Sequence, residues 1–201
     1  MREIDALILA GGKSSRMGGQ HKGNLLFGTE TFMERMINEV KQGVSEIWIS
    51  YGENIHKDYE GCRIVIDEHM NCGPIGGIHA GLKRCQSELM LVTACDMPFL
   101  KFEFFQYLKE KMKEEARKKE IVFDAVVPVL NGKINPLASI YRKKVVSILE
   151  EQIKKKDYRM VNAIECMNVL YVDVSDKEKW EKMLQNVNTL KEYDVIKNIV
   201  F

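Results

Sequence analysis

The segment Ile4–Ala10, IDALILA, is apolar at almost every position and runs directly into Gly11-Gly12. Successive strand residues point to opposite faces, so an unbroken apolar run predicts a strand buried on both. Such a strand belongs inside a sheet covered by helices, and the rest of the chain offers them. Phe32, Met33, Met36, Ile37 and Val40 have helical spacing within 31–40, with Gly43 beyond. EIWIS (46–50) and RIVI (63–66) predict short strands, the second ending at Asp67-Glu68. A helix is expected over 78–85 after the turn NCGPIGG. ELMLVTACDMP predicts a strand through 89–93 leading to Asp96, closed by Pro98. Residues 102–119 form a charged amphipathic helix, DAVVPVL and PLASIY are two more strands, and 142–156 is helical. In NVNTLKEYDVI, Asn188 or Thr189 can cap a helix with Glu192 in its first turn. Strands alternating with helices predict an α/β fold with a mostly parallel sheet. No repeat, low-complexity stretch or linker divides 1–201, so one domain is expected.

The apolar fraction, 45%, is enough for a substantial core, and 30 basic against 29 acidic residues nearly cancel. The total charge therefore points to neither a nucleic acid nor a membrane, and any basic site must be local. The charged start MREID does not read as a signal peptide, and no apolar run approaches the ~20 residues a bilayer requires. The cysteines Cys62, Cys72, Cys85, Cys95 and Cys166 are odd in number and contain no C-x-x-C pair. Free thiols in a reducing compartment, the cytoplasm, are the expectation.

The first strand delivers Gly11–Lys22 to the carboxyl edge of the sheet, where open α/β sheets bind ligands. Gly11, Gly12, Gly18 and Gly19 let backbone N–H groups approach an anion, and Lys13, Arg16 and Lys22 add charge. GGKSSRMGG fits neither the Walker A pattern nor G-x-G-x-x-G. A plain glycine turn with solvated lysines is the competing interpretation. Lys22 can set its ammonium against a phosphate as a point charge. Arg16 can grip phosphates with two parallel bonds or shape the loop through an ion pair. Asp96 follows a buried strand, where a carboxylate is costly unless it is paired or holds a metal. A hard cation such as Mg²⁺ suits it, and capping the next helix is the alternative. His69, Cys72 and His79 match no structural zinc spacing. Met33, Met36, Met112, Met160 and Met183 fit core filling, and the lysines of 109–119 and 154–156 a solvated helix face.

LILAGGKSSRMGGQHKGNLL (7–26) closely resembles the signature loop of nucleotidyltransferases, L-A-[GA]-G-x-S-x-R-M-G with a lysine a few residues later. VIDEHMNCGPIGGIHAGL, TACDMPFL, NPLASIY and NVNTLKE extend the likeness in order along nearly the whole chain. Within the superfamily it is most similar to the molybdenum cofactor guanylyltransferases of the molybdopterin nucleotidyltransferase family. The resemblance implies a Rossmann-like three-layer domain of the nucleotide-diphospho-sugar transferase type. It implies GTP and molybdopterin as substrates, with molybdenum cofactor biosynthesis proteins and recipient molybdoenzymes as further partners.

By the same resemblance, Asp96 holds Mg²⁺ and the nucleotide phosphates, Lys22 and Arg16 serve the phosphates, and Asp67 contacts the nucleoside. Leu9, Ala10, Gly11 and Gly12 then hold the base through backbone groups. The Gly11-Gly12 pair matches the guanylyltransferases, whereas the related cytidylyltransferases usually have Ala-Gly. The family's Asp before the lysine is His21 here, and its Asn after the second strand has no clear match in WISYGEN, which offers Ser50, Tyr51 and Asn54. The loop of Gly73, Pro74, Gly76 and Gly77 lies near the second substrate or is a simple turn. Asn135-Pro136 borders the acceptor, and Arg159 and Asn188 are candidates to touch the pterin or the metal phosphate cluster. Two rivals stand beside guanylyl transfer: transfer from CTP or to another phosphorylated acceptor, and a nucleotide-binding carrier with no transferase activity.

Overall fold

The computed structural model describes residues 3–11, 22–52 and 57–197. The strands, in chain order, are β1 (Ile4–Leu9), β2 (Leu26–Phe27), β3 (Glu30–Thr31), β4 (Ile47–Ser50), β5 (Cys62–Val65), β6 (Leu89–Ala94), β7 (Ala125–Leu130), β8 (Lys133–Ile134), β9 (Ser139–Arg142) and β10 (Val169–Asp173). The helices are α1 (Phe32–Val40), α2 (Pro74–Arg84), α3 (Phe102–Lys119), α4 (Val146–Lys154), α5 (Met160–Glu165), α6 (Glu178–Met183) and α7 (Leu190–Ile196).

Among the described residues, eight strands form one sheet in the order β10-β7-β9-β6-β1-β4-β5, with β8 on β7, while β2 and β3 make a separate hairpin. β6, β1, β4 and β5 run parallel, and β9 runs against β6 and β7. Every residue of β1 is buried, Asp5 included, as a nearly continuous apolar run at the centre of a parallel sheet requires. The chain leaves β1 for β4 on one side and later returns to β6 on the other. That reversal creates a crevice at the carboxyl ends of β1 and β6. Helices complete a three-layer α/β arrangement: α2 packs on β1, β4 and β5 and against α4. α1 and α3 meet where Phe102 N–H donates to Glu39 Oε2 at 3.1 Å.

The five methionines expected in the core are buried. The lysines of α3 lie along a surface stitched by i,i+3 and i,i+4 pairs such as Lys118–Glu114. Two helix boundaries differ from the sequence expectation. α2 begins at Pro74 rather than 78, because proline is accepted at the first helical position and Gly76 and Gly77 continue into the helix. The expected 142–156 helix is shorter: Arg142 still belongs to β9, a 3-10 turn covers Lys143–Val145, and α4 follows. α5, β10, α6 and the short β2, β3 and β8 add elements beyond those expected.

Candidate functional site

Ala94, Leu9, Ser50 and Val65 stand side by side at the carboxyl ends of β6, β1, β4 and β5. Three strand spacings separate the outer two, roughly 14 Å. Two residues beyond this row lie Asp96, Gly11, Gly52 and Asp67. The ladder continues past the strand ends, since Ser50 C=O accepts from Ala10 N–H at 2.7 Å and Gly11 N–H at 3.1 Å, and Leu9 C=O from Cys95 N–H at 3.0 Å. A Cβ on Gly11 would lie 3.0 Å from the Tyr51 carbonyl oxygen. This close approach of two chains accounts for the first glycine of the loop independently of any ligand.

Asp67 occupies the β5 side of the crevice. Ser50 Oγ donates to its Oδ1 at 2.8 Å, and burial still pushes its pKa above the ordinary value. α2 lies close above. A Cβ on Gly77 would come within 2.7 Å of both Leu9 Cδ2 and Ser50 Oγ, so glycine lets the helix settle onto these strand ends. Gly76 and Gly77 are thus packing residues of a helix, where the sequence suggested a loop.

Asp96 occupies the β6 side. Lys22 opens a 3-10 turn, Lys22–Asn24, and its Nζ donates to Asp96 Oδ2 at 3.2 Å and to Asn188 Oδ1 at 2.7 Å. The lysine and aspartate side chains are only 23% and 18% exposed, so their pairing is shielded from solvent. Val187 N–H donates to Asp96 C=O at 2.8 Å, which ties the C-terminal segment to the end of β6. Asp96 Oδ1 is buried and has no hydrogen-bond partner among the described residues. A buried carboxylate oxygen without a donor is an acceptor presented to a cation or a further donor.

The structure therefore brings Leu9, Ala10, Gly11, Lys22, Asp67 and Asp96 to one sheet edge. Gly12, Arg16, the other cations and glycines of that loop, His21 and Asn54 lie outside the described residues. Asn188, a candidate for the pterin or the metal phosphate cluster, holds the Lys22 ammonium beside Asp96. Its signal was the repeated asparagine in NVNT, and that of Ser50 was a lone hydroxyl closing the apolar strand IWIS. Arg159 is exposed and pairs with Asp157. Asn135 and Pro136 lock a turn, their carbonyls accepting from Ser139 Oγ at 2.7 Å and Tyr141 Oη at 2.9 Å. His79 is buried in α2 with its ring 5.2 Å from that of His69, and burial holds its pKa down. Among the described residues no group of three or more His, Cys, Asp or Glu is placed to hold a metal ion. No described helix is long and apolar enough to cross a membrane.

Residues 6–167 match the MobA-like NTP transferase domain. A probable molybdenum cofactor guanylyltransferase of Clostridium perfringens is 31% identical, over 98% of each chain. The crystal structure of molybdopterin-guanine dinucleotide biosynthesis protein A from Archaeoglobus fulgidus shares the fold, with a TM-score of 0.77, 23% identity and 96% of each chain covered. A Mycobacterium tuberculosis protein solved in complex with manganese also shares it, with a TM-score of 0.66, 13% identity and coverage of 98% of this chain and 99% of that one. The chain belongs to the MobA-like NTP transferase family and is a nucleotidyltransferase.

Proposed function

We propose that the protein transfers GMP from GTP to the terminal phosphate of molybdopterin carrying molybdenum, releasing pyrophosphate. The observation that carries this is the sheet edge at the ends of β1 and β6, where a shielded lysine ammonium adjoins a carboxylate with one oxygen unpartnered among the described residues. The name of the Clostridium relative and the Gly11-Gly12 pair support guanine and the molybdenum cofactor. In this reading residues 1–201 act as one nucleotidyltransferase domain.

Asp96 Oδ1 would hold a divalent cation, which we take to be Mg²⁺. When bound, that ion neutralises charge developing on the phosphates. Lys22 places a second positive charge beside it, oriented by Asn188. The backbone at Leu9, Ala10, Gly11 and Gly12 approaches the base, and Asp67 accepts from the nucleoside across the ~14 Å spanned by the strand ends. Arg16 adds charge from the same loop. An acceptor phosphate oxygen attacks the α-phosphorus in line as the bond to the β-phosphate oxygen breaks and pyrophosphate departs. The nucleophile is already ionised, so the protein needs no general base, and catalysis rests on positioning and charge neutralisation. Molybdenum cofactor biosynthesis proteins and recipient molybdoenzymes, in the cytoplasm, are the corresponding partners.

The test is product analysis with purified protein, Mg²⁺, molybdenum cofactor and either GTP or CTP. We expect one pyrophosphate released per guanine dinucleotide cofactor formed, with GTP preferred. CTP preference would overturn the guanine assignment, and nucleotide binding without pyrophosphate release would leave a carrier.

A further inference from the structure

Two helices begin with the same local device. At α1, Thr31 Oγ1 accepts from Glu34 N–H at 3.2 Å while Glu34 Oε2 accepts from Thr31 N–H at 2.9 Å. At α7, Thr189 Oγ1 accepts from Glu192 N–H at 3.2 Å while Glu192 Oε2 accepts from Thr189 N–H at 2.9 Å. Both are capping boxes, in which side chains satisfy the free N–H groups of a helix start. The second box does one thing more: Glu192 Oε2 also accepts from Asn188 N–H, at 2.6 Å. The first turns its other oxygen outward, to Lys57 Nζ at 3.1 Å.

That additional bond falls on the residue whose side chain holds Lys22. Asn188 is flanked by two anchors, Val187 N–H on Asp96 C=O and its own N–H on Glu192. A small apolar cluster supports the same three segments. It contains Leu25, Phe27, Phe32, Phe99, Val187 and Ile196, with Tyr193 packed against it. Leu25 N–H bonds to Lys22 C=O at 3.1 Å, Phe99 follows Asp96 by three residues, and Val187 directly precedes Asn188. The Phe32 and Tyr193 rings meet edge to face, with centroids 6.0 Å apart, linking the two capped helices.

We propose that Glu192 is a positioning residue for nucleotidyl transfer, acting through Asn188 to keep the Lys22 ammonium aimed beside Asp96. Its role in the reaction rests on the transferase function proposed above, while the positioning itself is a property of the fold. The Asn188 N–H is the largest of the interactions holding the Glu192 carboxyl below its ordinary pKa, so the residue is charged throughout the neutral range. A cap that served only its helix would have no bearing on a lysine 166 residues away from Asn188 in sequence.

The experiment compares Glu192→Ala, Glu192→Gln and, as a control on the other box, Glu34→Ala, each in the full chain. Beside Tm, which reports the loss of each cap, two quantities are read: kcat/KM for GTP, and the side-chain NMR signal of Lys22, assigned by its disappearance in Lys22→Met. Glu192→Ala is expected to lose about tenfold in kcat/KM, in the range found for residues that orient a site's direct ligands. Its Lys22 signal should shift toward that of a free lysine. Glu192→Gln keeps an acceptor oxygen and should recover both quantities. Glu34→Ala should lower Tm by a similar amount while leaving the Lys22 signal and kcat/KM of the folded protein at their original values. An unchanged Lys22 signal in Glu192→Ala overturns the proposal, as does an equal response in Glu34→Ala. A wild-type protein that transfers no nucleotide yet shows the expected Lys22 response would overturn the transferase assignment and support the positioning.

Discussion

The two ends of the sheet treat carboxylates in opposite ways. At the amino end, Asp5 of β1 is fully buried and saturated: its oxygens accept from Ser87 Oγ at 2.8 Å, Gln86 N–H at 2.9 Å and Ser87 N–H at 3.2 Å. At the carboxyl end, among the described residues, Asp96 has one oxygen on Lys22 and the other unpartnered, while Asp67 has a single hydroxyl donor and a raised pKa. A saturated carboxylate contributes to the fold and offers nothing to a ligand. The other two are held in place with acceptor capacity left over. The sheet is thus anchored at one end and chemically unsatisfied at the other, where the strand order reverses.

Removing the charge at each end should separate the two roles. The largest effect expected is from Asp96→Asn, a loss on the order of 10³-fold in kcat/KM, or about 4 kcal/mol of transition-state stabilisation. Circular dichroism should show a Tm close to that of the original protein, because no donor among the described residues depends on Oδ1. A variant with more than a tenth of the original activity would remove Asp96 from the chemistry. Asp5→Ala should do the reverse. It leaves the Ser87 donors without their acceptor inside the protein and should cost about 3 kcal/mol in urea unfolding. Activity per folded molecule should be unchanged, and a selective loss of activity at 15 °C would break the contrast between the two ends.

Much of the carboxyl end was legible because buried parallel strands are written as apolar runs, and the polar residue that ends each run falls at the sheet edge. LVTAC-Asp96 follows this rule and IDALILA ends on a glycine instead, whereas RIVI-Asp67 belongs to the half-covered edge strand β5, with Arg63 and Ile66 exposed. What was not legible depended on pairings distant in sequence. Nothing near Lys22 announces that Asn188 will hold it, or that Val187 will bond to the Asp96 carbonyl. In the sequence Gly76 and Gly77 read as a loop, and the packing of Gly77 against Leu9 and Ser50, and of Gly76 against the His69 carbonyl, emerges only in three dimensions. β10 did carry a local signal: VLYVD alternates buried and exposed side chains, as a half-covered strand should. It lacks the fully apolar pattern that marks the central strands.

The smallest effect expected, and the finest test of the contrast, concerns Asp67. Burial raises its pKa above 3.8, with the Ser50 hydroxyl pulling the other way. Between 3.8 and the raised value the folded chain binds more protons at this site than the unfolded chain. Stability from this group is therefore present at acid pH, lost as pH rises through that window, and absent above it. Asp67→Asn is neutral at every pH and retains an oxygen for Ser50. It should raise Tm modestly at pH 7, with the two proteins converging below pH 3.8. Nucleotide binding should move in the opposite sense, because donors from the nucleoside favour the ionised carboxylate. Affinity of the original protein for GTP should weaken as pH falls through the raised pKa, while the Asn variant binds more weakly at pH 7 and lacks that dependence. Calorimetric titration across the window reads both. A pH-independent gap in Tm would show that burial of charge is not what distinguishes Asp67 from the saturated Asp5.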